Sequence, residues 1–112
     1  MAQYQHLPLY KTTYDLLMRL MHVTKSFERE YKYTIGEKIQ NYILEILLDI
    51  YRANGSKNKK EHLTNLLEKV EMLNVLLRVS HDLKLIATEK YAEIILETAS
   101  ISKQATGWMK VE

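Results

Sequence analysis

The side chains in this sequence that can do acid–base, metal or phosphate chemistry are 4 histidines, 16 lysines and arginines, 14 carboxylates and 8 tyrosines. Spacing decides what they can do together. A di-iron helical bundle needs Glu-x-x-His pairs facing inward, but Arg19, Lys59 and Arg78 stand three residues before His22, His62 and His81. No two histidines have the i, i+4 spacing of a helical zinc pair, and His6 falls in the N-terminal tail. The absence of cysteine removes thiolate metal sites, disulfides and thiol nucleophiles together. There is no glycine-rich loop to cradle phosphates, and the serines have no base at a recognised spacing. The expectation is a protein without catalysis, metal or cofactor, whose useful chemistry lies in its cations and its surface.

Those groups must be positioned by helices. Only 3 glycines and 1 proline punctuate 112 residues, enough for one domain with a real core. Pro8 suits the first turn of a helix. Beyond it Leu9, Thr13, Leu16, Leu20, Val23 and Phe27 recur at helical spacing, with Tyr10, Tyr14, Leu17 and Met21 beside them. Thr34 and Glu37 fit a capping box, which is worth roughly 0.5–2 kcal/mol and predicts that a second helix starts there. That helix is expected to end near Ala53, with Asn54-Gly55 supplying a left-handed residue. A basic loop, Ser56 to Lys60, offers Ser56 or Asn58 as the next cap. A third helix is expected from Lys59 to about Leu85. The fourth is capped by Thr88, carries Tyr91, Ile94 or Ile95, Thr98 and Ile101 inward, and stops at Gly107. Short connections make this an all-α, antiparallel up-down-up-down four-helix bundle spanning residues 1–112, with a flexible N-terminal tail at 1–7 and a C-terminal tail at 109–112.

Two of the helices carry more apolar surface than one bundle needs. On helix two the polar strip shrinks to Lys38, Asn41, Glu45, Asp49 and Arg52, leaving roughly 240° apolar or tyrosine. On helix three, Met72, Leu73, Val75, Leu76, Leu77 and Val79 cover roughly 200° around a polar face of Glu71, Asn74, Arg78, His81 and Asp82. Because large exposed apolar patches are uncommon on soluble monomers, a homo-oligomer is expected. With no basic, apolar leader at Met1 to His6 and no apolar run of membrane-spanning length, a cytoplasmic protein without membrane contact is expected. Tyr10, Tyr14, Tyr42 and Tyr91 lie on or beside core rows. Packing is expected of them ahead of base stacking.

The chain resembles the accessory variability determinant (Avd) proteins of bacterial diversity-generating retroelements over nearly its whole length. The resemblance rests on Tyr14-Asp15-Leu16-Leu17, on Phe27 and Arg29 ahead of Tyr33-Thr34-Ile35-Gly36-Glu37-Lys38-Ile39, on Leu76-Leu77-Arg78-Val79-Ser80-His81-Asp82-Leu83-Lys84-Leu85, on Tyr91, and on Gly107-Trp108. A sister group, encoded by intervening sequences in large-subunit ribosomal RNA genes, shares the bundle. The resemblance implies a pentamer of four-helix bundles that associates with a reverse transcriptase and binds RNA or DNA without catalysing a reaction. It points to Arg78 and Lys84, and to Arg29 and Lys38, as groups facing phosphate, against a plainer reading as solvated helix charges. Lys57, Lys59 and Lys60 form the densest basic run and rank below them. The alternative function is a structural bundle of the intervening-sequence type without strong nucleic-acid binding, and salt-sensitive binding separates the two.

The residues themselves give this reading modest electrostatic support. The net charge is +2 and the pI 8.7, below the value above 9 that marks a nucleic-acid footprint. The chain also departs from the Avd pattern at Glu28, where relatives often carry proline. Helix one is therefore expected to run on towards Glu30 and break near Tyr31 to Tyr33. Trp108 either anchors a contact between chains or packs the C-terminal tail onto its own bundle.

Overall fold

The structure, a computed structural model, describes residues 3–111; Met1, Ala2 and Glu112, at the ends of the two expected tails, lie outside the described residues. Four long helices carry the fold: α1 (Pro8–Lys25), α2 (Glu37–Gly55), α3 (Lys59–Asp82) and α4 (Thr88–Lys110). No strand occurs among the described residues, and the molecule measures 43 × 22 × 21 Å, about one long helix by two helix diameters. Each helix buries one row at the spacing the sequence predicts. On α1 it is Leu9, Thr13, Leu16, Leu20 and Thr24; on α2 Ile39, Ile43, Ile46, Ile50 and Ala53; on α3 Leu63, Leu66, Val70, Leu73 and Leu77; on α4 Ile94, Thr98, Ile101 and Ala105. The buried hydroxyls are satisfied within their own helices, as when Thr13 and Thr24 Oγ1 donate to the carbonyls of Leu9 and Leu20, each at 2.8 Å.

Consecutive helices are neighbours, and α4 returns to α1. Gln40 Nε2 on α2 donates to Thr24 Oγ1 on α1 at 2.9 Å. On the α1–α4 side, Arg19 reaches Glu93 at 2.7 Å and Glu97 at 2.5 Å, and Gln104 Nε2 donates to Thr12 Oγ1 at 2.9 Å. His81 of α3 stacks on Tyr91 of α4 with ring centroids 4.5 Å apart. Between α2 and α3 lies Asp49, which the sequence places on an outward polar strip. The structure buries it, leaving 1% exposed, because its position is about 60° round from Ile46 and so faces α3. Its carboxylate meets Lys69 Nζ at 2.7 Å and Arg52 Nη1 at 3.1 Å. Burial works against the Lys69 charge, yet the hydrogen bonds and Coulombic pull of Asp49 and then Glu45 raise its pKa above 10.5. This ionic contribution to stability is therefore present below pH 10.5 and is lost as pH rises through the raised value.

The join between α1 and α2 corrects three expectations. Helix one does not run on through Glu28: it ends at Lys25, and Ser26 to Glu28 carry the break, with Phe27 buried and Glu28 at ψ 148°. Helical structure then resumes at Arg29–Tyr31 and passes through one π-helical turn, Lys32–Gly36, into α2. Thr34 is consequently inside a helix and forms no capping box; its hydroxyl donates to the Glu30 carbonyl at 2.8 Å. Gly36 packs against this join, where an added Cβ would sit 3.4 Å from the Phe27 ring.

Three further helix ends differ from expectation. Gly55 does not adopt a positive φ; Lys84 does, at 63°. Thr88 does not cap α4 with its hydroxyl, which lies 3.1 Å from His81 Nε2. Gly107 does not stop α4, which continues to Lys110. Tyr4–His6, within the N-terminal stretch assigned as tail, forms a 3-10 turn. Its Tyr4 ring packs edge-on against Tyr10 and Tyr51.

Candidate nucleic-acid interface

The α1–α2 and α3–α4 joins form one end of the bundle, called the head here; the α2–α3 join, the start of α1 and the end of α4 form the foot. The four cations assigned from sequence all belong to the head half of the molecule. Arg29 opens the short helical turn before the π segment and is exposed. Lys38, one residue into α2, borders a groove with Asn41, Tyr42, Glu45, Met72 and Leu76. Arg78 lies two residues beyond Leu76, about 200° around the α3 axis, so it cannot share that groove. Its side chain is 77% exposed, and its Nε lies 3.8 Å from Asp82, an i, i+4 pair of small energetic weight. Lys84 borders a separate groove with His81, Asp82, Ile86, Ala87 and Thr88. The four therefore share an end and do not share a cleft. Each of the two grooves is lined by a carboxylate as well as by its lysine, Glu45 in one and Asp82 in the other.

Lys84 has a backbone role as well. Leu83, Lys84 and Leu85 end α3 in a Schellman arrangement, with Leu85 N–H donating to the Ser80 carbonyl at 2.8 Å and Lys84 N–H to the His81 carbonyl at 2.9 Å. That motif places its left-handed residue at Lys84, where glycine is the usual occupant.

The lysine run at the foot divides in two. Lys59 Nζ donates to the carbonyls of Ala53 and Ser56 at 3.0 and 2.8 Å, and lies 6.0 Å from the Trp108 ring centroid. Its ammonium closes the end of α2 and braces α4, so it is occupied within the fold. Trp108, partly buried, packs against the core of its own bundle. Lys57 and Lys60 remain exposed.

The broad apolar arcs are only half consumed by the core. On the α1–α2 flank, Tyr14, Met18, Leu44, Leu48 and Tyr51 stay exposed, Tyr51 at 56%. On the outer side of α3, Met72, Val75, Val79 and Leu83 form a second strip, Val75 at 53%. The strips follow from sequence: positions such as Leu44 and Leu48 lie about 140–180° from Ile39 and cannot reach the core. Tyr10, Tyr42 and Tyr91 pack against the core as expected, whereas Tyr14 belongs to the exposed flank. None of the helices among the described residues is long and apolar enough to cross a membrane.

Comparison with known proteins bears on the whole arrangement. A family model described as bAvd-like matches residues 7–112, from just before α1 to the last residue. No curated protein matches the sequence.

Proposed function

Because the chain belongs to the bAvd-like family, we propose that it is a non-catalytic accessory subunit of a diversity-generating retroelement, working in the cytoplasm, that assembles into a pentamer, associates with a reverse transcriptase and binds RNA or DNA. The observation that carries this reading is the pair of apolar strips left uncovered once the four-helix core has closed. Apolar surface of that extent is costly to leave in water and is a feature of proteins that bury it against partners. Two separate strips suit a subunit that meets a neighbour on each side, or a neighbour on one and a different protein on the other. Phosphate contacts would come from exposed cations that the fold does not consume.

The test has two parts, both on the full chain. Mass measurement in solution should give a species several times the 13.2 kDa monomer. Filter binding of RNA at low and moderate salt should show affinity that falls as salt rises, the signature of phosphate contacts. A monomer without affinity would sink the proposal. A stable oligomer without affinity would favour the intervening-sequence type of structural bundle, a reading supported by the carboxylates interleaved among the head cations. Co-purification with a reverse transcriptase encoded beside its gene tests the remaining partner.

A further inference from the structure

The foot of the bundle holds a basic cleft that the four family-indicated cations do not touch. One groove, of about 590 Å³, is lined by Lys57, Asn58, Lys60, Thr106, Met109 and Lys110. A second, of about 520 Å³, is lined by Ser102, Lys103, Thr106, Gly107 and Lys110. They share Thr106 and Lys110 and are therefore adjacent, one on the α2–α3 loop side of that row and the other on the outer face of α4. Four lysines line them, all exposed, and none is in an ion pair with a described residue. Among the described residues, no carboxylate lines either groove. Glu61, close by in the chain, accepts a hydrogen bond from Asn58 Nδ2 at 3.0 Å.

We infer that this cleft is the surface that holds a nucleic-acid phosphate backbone, in preference to the head. The inference rests on the nucleic-acid reading above and assigns its site. Shape favours a polyanion over a small ion. Lys103 and Lys110 are seven residues apart, two helical turns or about 10 Å along α4, longer than a single phosphate and enough for more than one along a strand. Lys57 and Lys60 continue the row across the foot. Between the lysines stand the hydroxyls of Ser102 and Thr106, groups that donate to phosphate oxygens without reading sequence. Lys59 is a positioning residue: by tying Ala53 and Ser56 to Trp108 it fixes the loop that carries Lys57. The apolar strips lie on the α1–α2 flank and on the side of α3 turned towards α2, away from α4. Covering them with protein leaves the cleft open.

The experiment compares two variants of the full chain that each lose four positive charges: K57Q/K60Q/K103Q/K110Q at the foot and R29Q/K38Q/R78Q/K84Q at the head. Affinity for a labelled single-stranded RNA of roughly 30 nucleotides is measured across a salt series. The foot variant should bind at least about 10-fold more weakly, with a log–log salt slope shallower by about 3. The head variant should stay within about 3-fold of wild type, with its slope little changed. Circular dichroism confirms that both variants are folded, and K103Q/K110Q serves if the quadruple foot variant is not. Equal losses in the two variants, or loss in the head variant alone, overturn the cleft while leaving nucleic-acid binding intact. Wild-type chain that binds no RNA overturns the functional proposal and the cleft with it. Retention on phosphatidylserine vesicles that needs the foot lysines, with RNA binding unaffected by them, overturns the cleft in favour of a lipid surface.

Discussion

At the foot, Lys59 ends α2 with its side chain, its ammonium donating to two carbonyls and lying over Trp108. At the head, Lys84 ends α3 with its backbone, taking the left-handed position of a Schellman turn while its side chain points into an exposed groove lined in part by Asp82. The same residue type is bound to the fold in the two places through opposite ends of the residue. A lysine's charge is available to a ligand only where neither the ammonium nor a neighbouring carboxylate has already used it. By that criterion the foot retains Lys57, Lys60, Lys103 and Lys110, whereas at the head Arg78 lies 3.8 Å from Asp82, and Lys84 and Lys38 line grooves that Asp82 and Glu45 also line.

The largest effect that sharpens this contrast comes from Lys59→Met, which keeps the apolar stem over Trp108 and removes the ammonium. Two carbonyls at the end of α2 lose a charged donor, for an expected cost of about 2 kcal/mol, since partial exposure lets water replace some of the bond. A thermal melt should fall by on the order of 10 °C. An unchanged melting temperature would mean that the ammonium merely rests on the carbonyls. At the head the corresponding change has the opposite sign. Lys84→Gly removes a side chain from a left-handed position and is expected to stabilise by about 1 kcal/mol, while Lys84→Ala, which keeps the Cβ, should not. Destabilisation by Lys84→Gly would show that the ammonium, rather than the backbone, matters at the head, and the contrast between the two ends would fail.

How far these roles can be read from sequence depends on what each rests on. The core rows, Pro8 at the start of α1 and the uncovered apolar arcs are periodic signals, and a period of 3.6 residues survives folding unchanged. The Thr34–Glu37 box is a local signal that tertiary structure overrides: burial of Phe27 sets the chain break at Ser26 to Glu28, so Thr34 arrives already helical. Asp49 counts as surface on a helical wheel, but the wheel does not show that Lys69 waits on the facing helix. The foot cleft was partly legible. Lys103 and Lys110 share a face of α4 at i, i+7, a spacing visible in sequence; their approach to Lys57 and Lys60 exists only once α3 and α4 are side by side.

The smallest effect lies in the shaft between the two ends, where Glu97 differs from the paired groups at both. Its carboxylate is pulled inward between α1 and α4. Burial, partly offset by Arg19 and reinforced by Asp15 and Glu93, raises its pKa above the ordinary 4.5. One oxygen, Oε1, is buried against Arg19 Nε without an aligned hydrogen bond, so the contact compensates the charge incompletely. A raised carboxyl pKa means that the folded chain holds this proton more tightly than the unfolded chain does. The stabilisation is fully present below pH 4.5 and is lost as pH rises through the raised value, leaving an ionised, partly desolvated group above it. Glu97→Gln removes that cost and keeps a neutral side chain of the same shape. The variant should melt slightly higher than wild type at pH 7, by roughly 0.5 kcal/mol or less because the site is partly screened by water. The two melting temperatures should converge as pH falls towards 4.5, where wild-type Glu97 is itself protonated. A difference that stays constant across that range would show that Glu97 contributes through packing, and that the shaft, like Lys59 and Lys84, is held by geometry rather than by titration.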